Sequence, residues 1–183
     1  MYTDKFQCYK TRLSDFDDGK ASQLGDYLPA KLGMEQGETV AQVIFAGDYK
    51  GFVLFFFENG KAAKVPLSAY ETKTNRRKLT GAYSDKSALR CCMALDTDTQ
   101  LVVYSTDGRA LIFSTALLTP KTTRNTQGVA VMSLKKKATV SHVSLLEGSG
   151  IVTESRYRCK TIPGAGMGLK EEDSPHKQTS FEI

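Results

Sequence analysis

Short apolar runs joined by tight polar turns recur along the chain. Residues 52–65 (FVLFFFENGKAAKV) contain an apolar run, the turn pair Asn59-Gly60 and a second short run, and residues 101–113 (LVVYSTDGRALIF) repeat this plan around Asp107-Gly108. Asn-Gly and Asp-Gly supply the positive backbone φ that tight hairpin turns require. Both segments are therefore predicted to be β-hairpins.

A third, looser copy lies at the start of the chain. Residues 2–10 (YTDKFQCYK) match the later half of the plan, so that Thr3, Phe57 and Ser105 fall in register, one in each copy. Each hairpin is followed by a polar loop and further strand-like runs, which gives four short strands per repeat of about 50 residues, typical of a propeller-like blade. The predicted repeats are residues 1–46, 47–95 and 96–147, the first of them incomplete.

The remaining residues, 148–183, lack the repeat pattern. Residues 148–150 are predicted to be a linker. Residues 156–168 have no visible counterpart in the repeats and are predicted to form a capping strand followed by a glycine-rich loop, before a mobile polar end. No segment sustains the apolar period of an amphipathic helix, so few helices are expected. The alternative fold is a β-sandwich of unrelated hairpins, which does not explain why the loops also align.

Positive charge is concentrated in the middle of the chain. The net charge is +5, yet residues 38–145 hold fifteen Lys or Arg against eight Asp or Glu, so this stretch carries +7 and the flanks together −2. Basic residues of the polar loops share a place in the repeat, since Arg124 follows Arg76 by the same spacing that separates Ser105 from Phe57. Loops related by rotation about one axis lie around one rim. Their Lys and Arg side chains would form a curved track suited to phosphate oxygens rather than base edges.

The predicted DNA contacts are the cations of these loops and a lysine run between two later strands. They are Lys73, Arg76, Arg77 and Lys78 in the second repeat, Lys121 and Arg124 in the third, Lys20 in the first, and Lys135 and Lys137 in the lysine run. Taken singly, each of these cations is explained by the solubility of an exposed loop. Their recurrence at the same place in successive repeats favours a DNA-binding track. Lys61, Lys64 and Arg109, beside the hairpin turns, are better explained by protection of strand edges than by DNA contact.

Catalytic and cofactor motifs are absent from the sequence. The glycine-rich residues 164–168 lack the Gly-Lys-Ser/Thr ending of a phosphate-binding loop. The four cysteines form no Cys-x-x-Cys pair and, with only two histidines, offer no zinc-ligand spacing, so they are interpreted as reduced thiols of a cytosolic protein. No catalytic residue, cofactor or metal is predicted, and neither export nor membrane insertion is expected.

Residues 101–134 resemble the blade motif of the C-terminal domains of DNA gyrase and topoisomerase IV A subunits. LVVYSTDGRALIF followed by TPKTTRNTQGVAVMSL keeps the motif's order of apolar strand, turn, short strand, basic loop and a glycine before apolar residues. GFVLFFFENGKAAKVPLSAY with NRRKLTGAY is similar, and YTDKFQCYK with the loop to Gly25 is a looser third copy. The resemblance covers about residues 1–145.

This resemblance implies an all-β fold, part of a β-pinwheel, which is a propeller variant whose neighbouring blades exchange strands. It implies a non-catalytic, cytoplasmic and nucleoid-associated domain that wraps or bends duplex DNA around a basic rim without reading sequence. Its partners would be double-stranded DNA, the rest of a bacterial type IIA topoisomerase A subunit and the B subunit.

Two questions stay open: which topoisomerase the chain resembles, and whether its function is a different one. The Gln-Arg-Arg-Gly-Gly-Lys-Gly box of gyrase has no match, residues 75–79 being nearest, so topoisomerase IV is favoured and gyrase stays open. The alternative functions are a protein-interaction propeller, which would carry exposed aromatic residues in its loops, and a propeller enzyme, which would need clustered acids or histidines.

Overall fold

The structure is a computed structural model that describes residues 1–72 and 76–174, and these residues form short antiparallel strands with little helix. The strands are β1 (Tyr2–Thr3), β2 (Gln7–Tyr9), β3 (Val40–Gln42), β4 (Phe52–Phe57), β5 (Lys61–Pro66), β6 (Lys78–Thr80), β7 (Leu89–Leu95), β8 (Gln100–Ser105), β9 (Arg109–Ser114), β10 (Val129–Ala130), β11 (Val140–Leu145) and β12 (Met167–Gly168). The helices are α1 (Leu28–Leu32), α2 (Glu154–Tyr157) and 3-10 turns at Leu13–Asp15, Leu67–Tyr70, Thr115–Leu117 and Glu171–Asp173. The expectation of an all-β fold with few helices is confirmed.

The strands form three four-stranded sheets, which we call blades 1, 2 and 3. Their strand orders are β3-β1-β2-β6, β10-β5-β4-β7 and β11-β8-β9-β12. In each blade the fourth strand comes from the segment that follows: β6 leaves the second repeat for blade 1, and β10 leaves the third repeat for blade 2. This exchange of strands between neighbours is the defining feature of a β-pinwheel.

The hairpins form where the turn residues predict them. Gly60 and Gly108 have φ values of +80° and +73°, which a residue with a Cβ adopts only at a cost. The Asn59 side chain accepts a hydrogen bond from the Lys61 backbone N–H (3.1 Å), closing the β4–β5 turn. We call this end of each blade the turn end, and the opposite end, where the second hairpin strand finishes, the loop end.

Both faces of the central strands are buried, which explains their uninterrupted apolar runs. In β4, Phe55 faces a core shared with blade 1, whereas Phe56 faces a core shared with blade 3, because successive side chains point to opposite faces. In β8, Val103 packs towards blade 2 and Val102 packs beneath the C-terminal segment.

The C-terminal segment covers the last blade and completes its sheet. Met167 and Gly168 pair with Ala110 and Arg109 of β9, so β12 is the fourth strand of blade 3. The strand consists of the last two of the glycine-rich residues 164–168, so it does not precede a glycine-rich loop as expected. Arg158 and Cys159, ahead of the glycines, pair with β9 only at Ile112. The polar end predicted to be mobile lies, from residue 175 onwards, outside the described residues.

Candidate nucleic-acid interface

The basic loop of the second repeat lies at the loop end of blade 1. It runs from the 3-10 turn at Leu67–Tyr70 to β6, and we call it the blade 1 loop. The backbone N–H of Lys10, directly after β2, donates to the carbonyl of Arg77 (2.7 Å). Lys73, predicted as a contact in this loop, lies outside the described residues.

The basic loop of the third repeat occupies the corresponding place on blade 2. This blade 2 loop runs from the 3-10 turn at Thr115–Leu117 to β10, and the backbone N–H of Lys121 donates to the carbonyl of Lys64 (2.8 Å). Lys64 is the counterpart of Lys10, by the same spacing that relates Phe57 to Thr3. The two loops thus bond to equivalent residues of consecutive blades, the blade 1 loop through Arg77 directly before β6 and the blade 2 loop through Lys121, further from β10.

The blade 2 loop is slightly longer than the blade 1 loop. Arg76 and Arg124 lie equally far along the chain from the 3-10 turns that begin at Leu67 and Thr115. At the other end, Leu79 and Val129 occupy equivalent places, because they pair with the equivalent residues Cys8 and Ala62. Arg124 is separated from Val129 by more residues than Arg76 is from Leu79. The two arginines are therefore equivalent when counted from the start of the loops and are shifted when counted from their ends.

Arg76 and Arg77 are exposed on the blade 1 loop. The Arg77 guanidinium lies 3.9 Å from the Asp15 carboxylate, and because that pair is at the surface it is weak. A groove of about 850 Å³ beside the loop is lined by both arginines together with Lys10 and Arg12. Four cationic side chains therefore surround one surface depression.

Lys78, the first residue of β6, is the most strongly paired of the predicted contacts. Its ammonium nitrogen lies 2.6 Å from the Glu35 carboxylate and 5.7 Å from the centre of the Tyr9 ring. The hydrogen bond to Glu35 raises the pKa of Lys78 and lowers that of Glu35. An anion approaching Lys78 must therefore compete with this carboxylate.

Arg124 and Lys121 differ in how far they are free to bind a ligand. The Arg124 guanidinium donates to the carbonyl of Ala69 (3.0 Å) and lies 6.0 Å from the centre of the Tyr70 ring, so it joins the blade 2 loop to the preceding repeat. Lys121 is exposed and forms no ion pair with any residue of the described ranges. Lys121 is thus the available cation of this loop.

The lysine run lies away from both loops. Lys135 comes within 3.9 Å of Asp107 in the β8–β9 turn, which places it at the turn end of blade 3, and Lys137 is exposed nearby with φ +70°. A six-residue strand spans roughly 17–20 Å, so Lys135 is separated by that order of distance from the loop end. Lys20 is exposed in irregular chain and is attached to no blade through the hydrogen bonds of the described residues.

Two of the cations predicted to flank the hairpin turns have structural contacts. Lys64 is 5% exposed, and its ammonium lies 2.6 Å from Asp98. Arg109 is 8% exposed, donates to Asp107 (2.8 Å) and also bonds the carbonyl of Ala165. Of the two explanations open for these residues, the buried contacts support a structural one.

The structure adds two cations that the sequence comparison did not single out. Lys10 and Arg12 follow β2 and line the groove beside Arg76 and Arg77. The sequence did contain a sign of Lys10, because a lysine, Lys64, stands at the equivalent position of the next repeat. That signal was ambiguous, because the same position is a buried ion-pair residue in blade 2 and partly exposed in blade 1.

Two tyrosines and one thiol of the core are held in their neutral forms. Burial raises the pKa of Tyr83 to about 12, and burial also raises the pKa values of Tyr2 and Cys92. Across residues 1–72 and 76–174, no group of three or more His, Cys, Asp or Glu side chains could hold a metal ion. No helix in the same ranges is long and apolar enough to cross a membrane.

Comparisons with known proteins find a similar fold in the C-terminal domains of DNA topoisomerase IV and DNA gyrase A. No family model and no curated protein matches the sequence. Among solved structures, a C-terminal domain of DNA topoisomerase IV is similar at a TM-score of 0.69 and 22% identity, over 81% of this chain and 47% of that one.

Two further solved structures agree with this match. The DNA gyrase A C-terminal domain is similar at a TM-score of 0.55 and 16% identity, over 82% of this chain and 48% of that one. The E. coli ParC C-terminal domain is similar at a TM-score of 0.59 and 14% identity, over 79% and 60% of the two chains. The chain thus has the fold of these domains and spans about half the length of the first two. The expected β-pinwheel architecture is confirmed.

Proposed function

We propose that this chain is a non-catalytic DNA-binding module of a bacterial type IIA topoisomerase A subunit, of topoisomerase IV or gyrase. It binds the phosphate backbone of duplex DNA through its blade loops and does not read base sequence. The observation that carries the proposal is the attachment of two basic loops at the equivalent residues Lys10 and Lys64 of consecutive blades. A duplex following the loop ends would contact both.

The exposure and the existing partners of each cation determine how strongly we expect it to bind phosphate. Arg76, Arg77 and Lys121 are exposed and form at most a weak surface pair, so they can meet phosphates at little cost. Lys78 must leave Glu35 to do so, and Arg124 is already engaged with Ala69. Lys135 and Lys137, with Lys73 and Lys20, are secondary contacts in this proposal.

Bending of DNA over successive blades follows from the same arrangement. The blades of a propeller are arranged radially about an axis, so a duplex that contacts successive loop ends would curve. In the cytoplasm the module would present this bent duplex to the rest of the A subunit and to the B subunit. Cleavage and ATP hydrolysis belong to those other parts, so purified protein should show no magnesium-dependent nicking of supercoiled DNA.

One observation favours a second candidate, a protein-interaction module. Val43 and Phe45 are 56% and 77% exposed beside the groove, as is Leu13 at 78%. Exposed apolar side chains of this size are common at protein interfaces. The two candidates differ in their dependence on salt, since an apolar interface lacks the counterion release that accompanies phosphate binding.

Fluorescence anisotropy with a mixed-sequence duplex, titrated at several salt concentrations, tests the proposal. Affinity should fall steeply with salt and vary little between sequences. The double variant Arg76→Ala with Arg77→Ala, and the single variant Lys121→Ala, should each weaken binding and lower the salt slope by nearly one unit per lost contact. Changing both loops should weaken binding more than changing either.

The matched control removes two exposed lysines from the turn ends of the same blades. Lys5 lies in the turn between β1 and β2, and Lys86 precedes Ser87, whose hydroxyl accepts from Asn59 in the β4–β5 turn. Lys5→Ala with Lys86→Ala should change affinity much less than the arginine pair. Equal effects would mean that general charge attraction, not a track, accounts for binding. A salt-insensitive interaction would favour the protein-interaction module.

A further inference from the structure

The C-terminal segment contains a third copy of the blade loop. The backbone N–H of Cys159 donates to the carbonyl of Ile112 (2.9 Å), just as that of Lys121 donates to Lys64. Ile112 is the counterpart of Lys64, by the same spacing that relates Ser105 to Phe57. A segment that shows no repeat motif in its sequence is therefore attached to blade 3 in the manner of the blade 2 loop.

The C-terminal loop also has the same length as the blade 2 loop between its first contact with the blade and the strand that it donates. Val129 lies opposite Ala62, and Met167 lies opposite its counterpart Ala110. The distance along the chain from Lys121 to Val129 is therefore the same as that from Cys159 to Met167.

Both loops also end in the same way. Gly128 and Gly166, each directly before its strand, have φ values of +70° and +69°. Residues 158–166 are the blade 3 loop.

The blade 3 loop carries cations at the same end of its blade. Arg158 is held by Glu154 (2.5 Å) and by the side chain of Gln100, which lies at the loop end of β8. Lys160 is exposed, and no carboxylate within the described ranges forms an ion pair with it. In the register of the two loops Lys160 occupies the place of Thr122, next to Lys121.

We infer that the blade 3 loop is a third phosphate-contact station of the DNA track, with Lys160 as its principal cation. The inference rests on the proposed function and extends it from two blades to three. Its ligand is the phosphate backbone of the same duplex, since one exposed lysine beside a polar loop offers point-charge attraction and no base-reading geometry. Arg158 is a weaker contributor, because Glu154 already neutralises it.

Single lysine variants in the 183-residue chain test the inference. Lys160→Ala should weaken binding to a duplex long enough to pass over three blades by about five- to tenfold near 0.1 M salt, and should lower the salt slope by nearly one unit. Lys160→Arg should retain both. Lys160→Thr, which installs the residue found at the equivalent place in blade 2, serves as a second loss variant with unchanged far-ultraviolet circular dichroism.

A control in the same C-terminal segment is Lys170→Ala, which removes an ammonium that is paired with Glu172 (3.1 Å). Leu169, directly before it, donates to the carbonyl of Gly108, so Lys170 lies at the turn end of blade 3. Lys170→Ala should leave affinity and slope nearly unchanged. If Lys160→Ala matches Lys170→Ala while Lys121→Ala still weakens binding, the third station is wrong and the proposed function stands. If wild-type protein does not bind duplex DNA, both are wrong.

Discussion

Gly128 lies so close to the carbonyl oxygen of Ala62 that a Cβ atom on it would be 1.9 Å from that oxygen. Its φ of +70° adds a second reason for glycine at this point. The contact brings the blade 2 loop onto β5 immediately before β10 joins the sheet. A single position thus decides whether the strand donated by the third repeat can pair with blade 2.

Gly128→Ala should destabilise the protein by about 2–4 kcal/mol, because left-handed strain and a backbone clash add together. Urea unfolding followed by circular dichroism measures this. The control is Gly148→Ala, where φ is also positive at +76° and no atom lies within 4 Å of the added Cβ. That variant should cost only the strain, about 1–2 kcal/mol. Equal losses in the two variants would show that the contact with Ala62 is unimportant.

The ion pair between Lys64 and Asp98 should matter for stability in spite of its position near the surface. The Lys64 ammonium is buried, and besides Asp98 it has only the Thr115 carbonyl (3.3 Å) as a hydrogen-bond acceptor among the described residues. Asp98→Asn should therefore cost about 1–3 kcal/mol in urea unfolding. Adding Lys64→Met should recover part of this loss, because no buried charge is then left unpaired.

The exposed pair of Lys50 and Asp48 provides the contrast for this prediction. Its atoms are 2.5 Å apart, and the two side chains are 85% and 62% exposed. Asp48→Asn should leave the urea midpoint unchanged, since exposed pairs are screened by solvent. A loss as large as that of Asp98→Asn would show that burial of the lysine is not the cause.

Acid should loosen the C-terminal segment through Asp173. Burial of this carboxylate raises its pKa, but hydrogen bonds from Thr153, Val152 and Tyr157 outweigh that effect and lower the pKa well below the ordinary value of 3.8. Since the folded-state pKa is the lower one, the stabilisation is fully present above about pH 4 and is lost as the pH falls further.

Asp173→Asn should remove this part of the acid dependence while lowering stability at neutral pH. Urea midpoints measured from pH 7 down to acid, in wild type and variant, give the comparison. The two curves should converge as the pH falls below about 4. Parallel curves over the whole range would exclude Asp173 as the titrating group.

Removal of the carboxylate beside Lys78 should strengthen DNA binding. Glu35→Gln frees the lysine from its ion pair and removes a negative charge from the loop end of blade 1. Affinity should rise by about two- to fivefold near 0.1 M salt and the salt slope should steepen by up to about 0.9 units. Asp26→Asn, which frees Lys31 on the short helix α1, is the matched control. A similar gain in the control would indicate a general effect of net charge.

The hairpins and the repeat could be predicted from local sequence. Asn59-Gly60 and Asp107-Gly108 determine their turns through backbone conformation alone, and the apolar runs of β4 and β8 are long enough to identify strands without a partner. The placing of Arg76 and Lys121 in equivalent loops also follows from spacing. These features depend on residues that are close together in the chain.

The exchange of strands was implied by the family resemblance, but which residues form the exchanged strands was decided only by the tertiary structure. The strands β6, β10 and β12 have three, two and two residues, too few to carry a periodic signal, and each pairs with a hairpin far away in sequence. The repeat motif is missing from residues 158–166, because their loop is defined by backbone contacts with Ile112 and Ala110 rather than by side-chain type. Burial of Lys64 likewise depends on Asp98 and on the neighbouring blade, which no local pattern encodes. Sequence therefore determined which residues form the hairpins, whereas non-local backbone pairing decided how the blades are joined and which cations stay free.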